Sequence, residues 1–214
     1  MASAPQFGQP LPGRLYPDRP VAFGVALKDG LVALARVEPA DAPMRIDLPG
    51  GGLDPGEGPE DALRREFAEE TGLMVRATRL IARADHYFTN GAGEAFDTRG
   101  RFFEAEVTGL APEMKIEADH ALFWAAPEAA LRRVSRESHA WALACWLRLA
   151  QVLQAAARGS PVSRQRLRGM SDGTDPLDAL AQIPPVTRHE LMDRFADWVT
   201  DPELELPALR AHTA

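Results

Sequence analysis

Three glutamates, Glu66, Glu69 and Glu70, crowd one short stretch of the segment GGLDPGEGPEDALRREFAEETGL, residues 51–73. At roughly 100° per residue they fall within about a 100° arc of one helix face, so three carboxylates converge. Each like-charged pair at i,i+3 or i,i+4 costs on the order of 0.2–0.5 kcal/mol in an isolated helix. A hard divalent cation reverses the sign of that interaction. Magnesium takes octahedral oxygen coordination from one or two carboxylates, water and phosphate oxygens, and manganese can substitute. Gly50, Gly51 and Gly52 precede the helix, where bare backbone permits close approach of a substrate and can bring the Gly50 carbonyl to the same ion. Arg65, four residues before Glu69, can pair with it and fix its orientation, and Glu57 either does similar work or binds a further ion.

The elements that must position these residues are readable. Val21 to Leu27 and Leu31 to Val37 are apolar strands joined through Asp29-Gly30, a strong hairpin signal. A short strand, 45–48, runs into the glycines. The helix starts at Pro59, with Glu60 and Asp61 complementing its dipole, and Gly72 stops it. Leu63 and Phe67, at i and i+4, form the stripe that seats it on the sheet. Residues 75–88, 101–107 and 121–125 read as strands, and 89–98, TNGAGEAFDT, as a loop. Pro127 to Arg133 reads as a short helix and Ser135 to Ala157 as a long one, carrying Trp141, Leu143, Cys145, Trp146, Leu149 and Leu153. A Gly- and Pro-rich stretch, 159–186, reads as a linker, and the capping box Thr187 to Glu190 announces a final helix. The domain is therefore placed at 1–158, its core at about 20–155, with a linker and helical extension over 159–214.

A net charge of −7 argues against a nucleic-acid backbone as main partner, because phosphate binding rewards clustered Lys and Arg. The lone Cys145 excludes an intrachain disulfide and a multi-cysteine metal site, which suits a reducing compartment. The longest apolar run, Ala140 to Leu147, is far short of the roughly 20 residues of a membrane span, and the N-terminus lacks the apolar stretch of a signal peptide. A soluble, cytoplasmic protein is expected. There is no GxxxxGK[ST], GxSxG or HExxH, and His86, His120, His139, His189 and His212 read as ordinary surface or core residues. Arg164, Arg166 and Arg168 read as a solvated linker, and Tyr87, Phe88 and Trp124 as core rather than base-stacking residues.

Gly51, five residues, Glu57, seven residues, Arg65-Glu66-Phe67, one residue, Glu69-Glu70, one residue, Gly72-Leu73: this spacing resembles the Nudix box. The resemblance implies an α+β Nudix fold, a mixed β-sheet sandwiched between helices with the box as loop-helix-loop, here with a helical C-terminal extension. It implies a metal-dependent pyrophosphohydrolase acting on a nucleoside diphosphate linked to another group. Glu69 and Glu70 are the leading metal ligands, and Glu66 is a third ligand or the base. A later acidic residue often adds a ligand or the base, and Glu117 and then Asp119 are the candidates. Nucleoside triphosphates stand slightly ahead of ADP-ribose-like sugars as substrates. A non-catalytic nucleotide-binding module is the alternative, and a homo-oligomer is compatible with either.

Overall fold

Asp29 and Gly30 both adopt positive φ, 51° and 77°, the pairing that a two-residue hairpin turn requires. They join β2 (Asp18–Lys28) to β3 (Leu31–Val37), as the sequence predicts. The computed structural model describes residues 4–40, 42–90, 92–157 and 199. After β1 (Gln6–Phe7) and the β2–β3 hairpin come β4 (Arg45–Asp47), β5 (Gly50–Gly52), α1 (Pro59–Thr71), β6 (Leu73–Thr89), β7 (Ala95–Leu110), β8 (His120–Ala125), α2 (Pro127–Arg133) and α3 (Glu137–Ala157).

β2 and β3 stay paired only at Leu27–Val32 and Lys28–Leu31, then diverge. β2 continues in parallel beside β7 and takes β5 antiparallel, while β3 is flanked by β4 and β8. The sheet is thus mixed and opens between its two halves. Along β2, Ala22 and Ala26 face one core cluster with Leu63 and Phe67 of α1, whereas Val21, Phe23 and Val25 face a second cluster built on α2 and α3. Two buried faces explain why β2 is apolar without alternation. Gly24 lets α1 seat: a Cβ there would lie 2.8 Å from the Phe67 ring and 3.0 Å from Leu63.

α1 begins on Pro59 and ends on Gly72 at φ 72°, whose N–H donates to the Ala68 carbonyl at 2.9 Å. Trp141, Leu143, Cys145, Trp146 and Leu149 of α3 are buried, as expected of a helix laid on the other face. No helix among the described residues is long and apolar enough to cross a membrane.

Three readings change. β1 pairs in parallel with β6 through Gln6–Asp85 and Phe7–His86, ahead of residue 20, where the sequence places the start of the core. Two residues are too few to show a strand period. The loop read over 89–98 shrinks, because β7 already starts at Ala95, and Asn90 closes the turn with its side chain on the Glu94 N–H at 2.8 Å. The polar residues within it, Asp97 and Thr98, are buried strand members held by partners, which polarity alone disguises. α3 starts at Glu137 rather than Ser135. The predicted capping box and Arg164, Arg166 and Arg168 lie outside the described residues. Val199 is helical and buried in the cluster on the α3 side.

Candidate active site

Arg65 is the hub of the acidic helix face. Its Nε and one terminal nitrogen donate to the two carboxylate oxygens of Glu57 at 3.0 and 2.9 Å. The other terminal nitrogen donates to Glu66 at 2.9 Å and Glu69 at 3.0 Å, and the Gly52 carbonyl accepts a further bond at 2.8 Å. The planar fork of a guanidinium supplies enough donors for all of these. Glu57 also accepts from the Asp54 N–H at 3.0 Å, so both its oxygens are committed. The like-charge cost of the helix is thereby offset locally.

Across from them runs β5. A Cβ on Gly51 would come within 2.7 Å of the Glu66 carboxyl, and one on Gly50, at φ 135°, within 2.2 Å of the Ala22 carbonyl. These two glycines are requirements of the approach. The Gly50 N–H donates to Glu70 at 3.0 Å, tying strand to helix.

The third contribution arrives from far along the chain. The N–H groups of Ile116 and Glu117 donate to the Glu69 carbonyl at 3.1 and 3.2 Å, near the C-terminus of α1, and pin the 115–119 loop there. The same pinning places His120 with its Nε2 3.4 Å from Glu70 and its Nδ1 2.9 Å from both Glu117 and Asp119. Ligand atoms of Glu66, Glu69 and Glu117 all lie within 4.8 Å of one another, and so do those of Glu70, Glu117 and His120. Glu117 belongs to both sets.

Electrostatics follow from this packing. Burial pushes the Glu70 carboxyl up to about 7, against the opposing pull of His120 and the Gly50 N–H. Burial likewise raises Glu66, with Arg65 working the other way. His120 is driven up to about 10, since Glu117, Glu70 and Asp119 together overcome the desolvation that would lower it. Its hydrogen bonds hold Glu117 and Asp119 below the ordinary carboxylate range.

Glu66, Glu70, Glu117, His120 and the three glycines line a cavity of about 230 Å³; Glu57, Arg65 and Glu69 stand behind its wall. Asp119 is outside the lining and outside both ligand sets. His120, read from the sequence as ordinary, is therefore part of the site. Its position three residues after Glu117 is the signal that would have found it. His86 and His139 are core residues as read, bonded to Ser138 and to the Leu48 N–H at 3.0 Å each. Tyr87 packs edge-on against Tyr16, and Trp124 packs on the α1 cluster, while Phe88 lines the cavity instead of the core. His189 and His212 lie outside the described residues.

The sequence matches the NUDIX domain model over residues 18–167. It is 31% identical over 125 residues, 52% of this chain and 75% of the relative, to an RNA pyrophosphohydrolase of Cereibacter sphaeroides (strain ATCC 17029 / ATH 2.4.9). Over a shorter stretch of 48 residues it is 42% identical to the 8-oxo-dGTP diphosphatase of Haemophilus influenzae, 22% of this chain and 35% of that one. A NUDIX hydrolase from Nitrosomonas europaea shares the fold, with a TM-score of 0.51 at 19% identity over 60% of this chain and 88% of that one. Glycine strand, acidic helix and returning loop, with a family match spanning most of the chain, mean that it belongs to the Nudix family.

Proposed function

We propose that this chain hydrolyses a phosphoric anhydride bond in a nucleoside diphosphate linked to another group, by attack of water at phosphorus. The observation that carries the reading is the meeting of two three-residue ligand sets at Glu117, on the wall of a cavity of about 230 Å³. One set, Glu66, Glu69 and Glu117, offers only carboxylate oxygens, the donors that suit Mg²⁺, with Mn²⁺ as substitute. Glu70 and the Gly50 carbonyl complete the proposed metal-holding group, and bare Gly51 leaves Glu66 room to turn toward it. Bound there, the cation supplies charge neutralisation at the phosphate oxygens and a lowered pKa for the attacking water.

The protein's own groups do the rest. Arg65, itself held by both carboxylate oxygens of Glu57, keeps Glu66 and Glu69 in orientation. The proton released by the attacking water passes to Glu66 or Glu117, both of which face the cavity. Asp119 does neither. A nucleoside triphosphate or modified nucleotide is the favoured substrate, ahead of an ADP-ribose-like sugar.

The test is Mg²⁺-dependent release of phosphate, pyrophosphate or nucleotide from a panel of nucleoside triphosphates, oxidised nucleotides and nucleoside diphosphate sugars. The name of the Cereibacter sphaeroides relative, an RNA pyrophosphohydrolase, adds RNA to that panel. Turnover that stops in chelator is expected. Binding without turnover across the panel would replace hydrolysis with a regulatory binding role.

A further inference from the structure

The cavity has a second wall of opposite sign. Arg19, Arg45 and Arg136 line it together with Asp47 and Phe88. Asp47 is buried, and its Oδ2 takes both Nε of Arg45 at 3.1 Å and a terminal nitrogen of Arg136 at 3.0 Å. Among the described residues no other carboxylate lies within 4.0 Å of either guanidinium, and none lies that close to Arg19. Within 4.0 Å, Asp47 thus serves two of these guanidiniums and Arg19 has no carboxylate among the described residues. Arg136 is also incompletely served: its Nε has no hydrogen-bond partner among the described residues.

Aromatic rings hold these cations in place. The Arg136 guanidinium lies 4.0 Å from the centroid of Phe88, with that of Arg45 5.9 Å from the same ring, and Arg19 sits 4.8 Å over Phe96. A guanidinium stacked on a ring keeps its edge donors, the part that binds phosphate oxygens in pairs. The Arg136 Nε–H, screened from solvent and without a partner among the described residues, is a donor left for an anionic group to satisfy.

We infer that Arg45 and Arg136, with Arg19, form a subsite for a phosphate group of the substrate other than the one held at the glutamates. The inference rests on the proposed hydrolysis and sharpens its substrate class. A nucleoside triphosphate, or another polyphosphate, carries anionic groups at both walls. Where the diphosphate linkage itself sits at the glutamates, a nucleoside diphosphate sugar has only a neutral group left to offer the arginines, whereas a nucleoside triphosphate has a further phosphate, and it is that further phosphate which the arginines are inferred to hold.

Two measurements test it on the full chain. The first is calorimetric binding of inorganic tripolyphosphate in excess chelator, which reads the subsite whether or not the chain hydrolyses anything. Wild-type protein and Glu69→Gln bind alike, and Arg45→Gln weakens binding at least about tenfold, the scale of one charge-assisted pair. The second is steady-state kinetics with Mg²⁺. Arg45→Gln raises KM for a nucleoside triphosphate about tenfold, keeps kcat within about threefold, and leaves KM for a nucleoside diphosphate sugar unchanged.

Arg136→Gln should repeat both results where it folds; Arg19→Gln, whose parent has no buried partner, supplies the second variant otherwise. Tripolyphosphate that fails to bind, or binds Arg45→Gln as tightly as wild type, overturns the subsite. So does an equal KM change for both substrate types. Loss of turnover on the whole panel with tripolyphosphate binding intact would instead strike the proposed hydrolysis alone.

Discussion

The two walls of the cavity mirror each other: on one, a single guanidinium serves several carboxylates, and on the other a single carboxylate serves several guanidiniums. Arg65 gathers Glu57, Glu66 and Glu69 from behind the acidic wall, where its side chain is 27% exposed. Asp47 anchors Arg45 and Arg136 from inside the protein, with only 6% of its side chain exposed. The depth of the hub decides what its loss does. A buried hub carries the stability of its neighbours, whereas a half-open hub carries their orientation.

The largest effect is therefore expected at Asp47. Asp47→Ala leaves Arg136, whose side chain is 14% exposed, without its carboxylate, and the loss of one partner of a largely buried pair costs about 3 kcal/mol. Urea unfolding measures it; a change below about 1 kcal/mol would make the two hubs equivalent. Next comes Glu70→Gln, which keeps the shape of the acidic wall and removes a charge there. It should lower turnover at least about a hundredfold while the protein stays folded, because the group acts with the metal rather than in the core. A kcat within tenfold of wild type would break the assignment.

Arg65→Met should weaken Mn²⁺ binding about tenfold, the usual consequence of releasing groups that orient metal ligands. Its unfolding free energy should change by less than about 1 kcal/mol, since partly exposed ion pairs contribute little. Equal damage to stability at Arg65 and Asp47 would erase the contrast drawn from burial.

The same contrast explains what could be read in advance. Most of the acidic wall lies within residues 50–70, where one turn and one helix fix every spacing, so the sequence pattern is already a spatial pattern. Even there Glu117 was only one of two candidates and His120 was missed, because the loop that brings them is placed by backbone bonds to the Glu69 carbonyl. The arginine wall had no such local signature. Arg19 enters from β2, Arg45 from β4 and Arg136 from the turn before α3, and only the divergence of β2 and β3 brings them to one cavity. Phe88 likewise reads as packing, since an aromatic residue in a strand gives no hint of which cation will cover its face.

The smallest expected effect is a pH dependence, and the walls carry it with opposite signs. Glu70 and His120 have folded-state pKa values raised to about 7 and about 10, so their stabilisation is full below the unfolded values and fades as pH rises through those numbers. Behind the arginine wall, His86 is depressed to about 4, by burial first and then by Arg136, with Asp47 opposing. Glu137, 3.6 Å from its Nε2, and the Ser138 hydroxyl also face the ring. A depressed pKa contributes stability present above the unfolded value near 6.5 and lost as pH falls toward 4. Because the opposing groups mask this in the wild type, the quantity to follow is the difference in unfolding free energy between wild type and His86→Gln in chelator. Between pH 6.5 and 5.5 that difference should move by about 1 kcal/mol in favour of the variant, which has no proton to accept. A difference that stays constant over this interval would mean that His86 accepts a proton as readily folded as unfolded, and that the region behind the arginines tolerates one more positive charge.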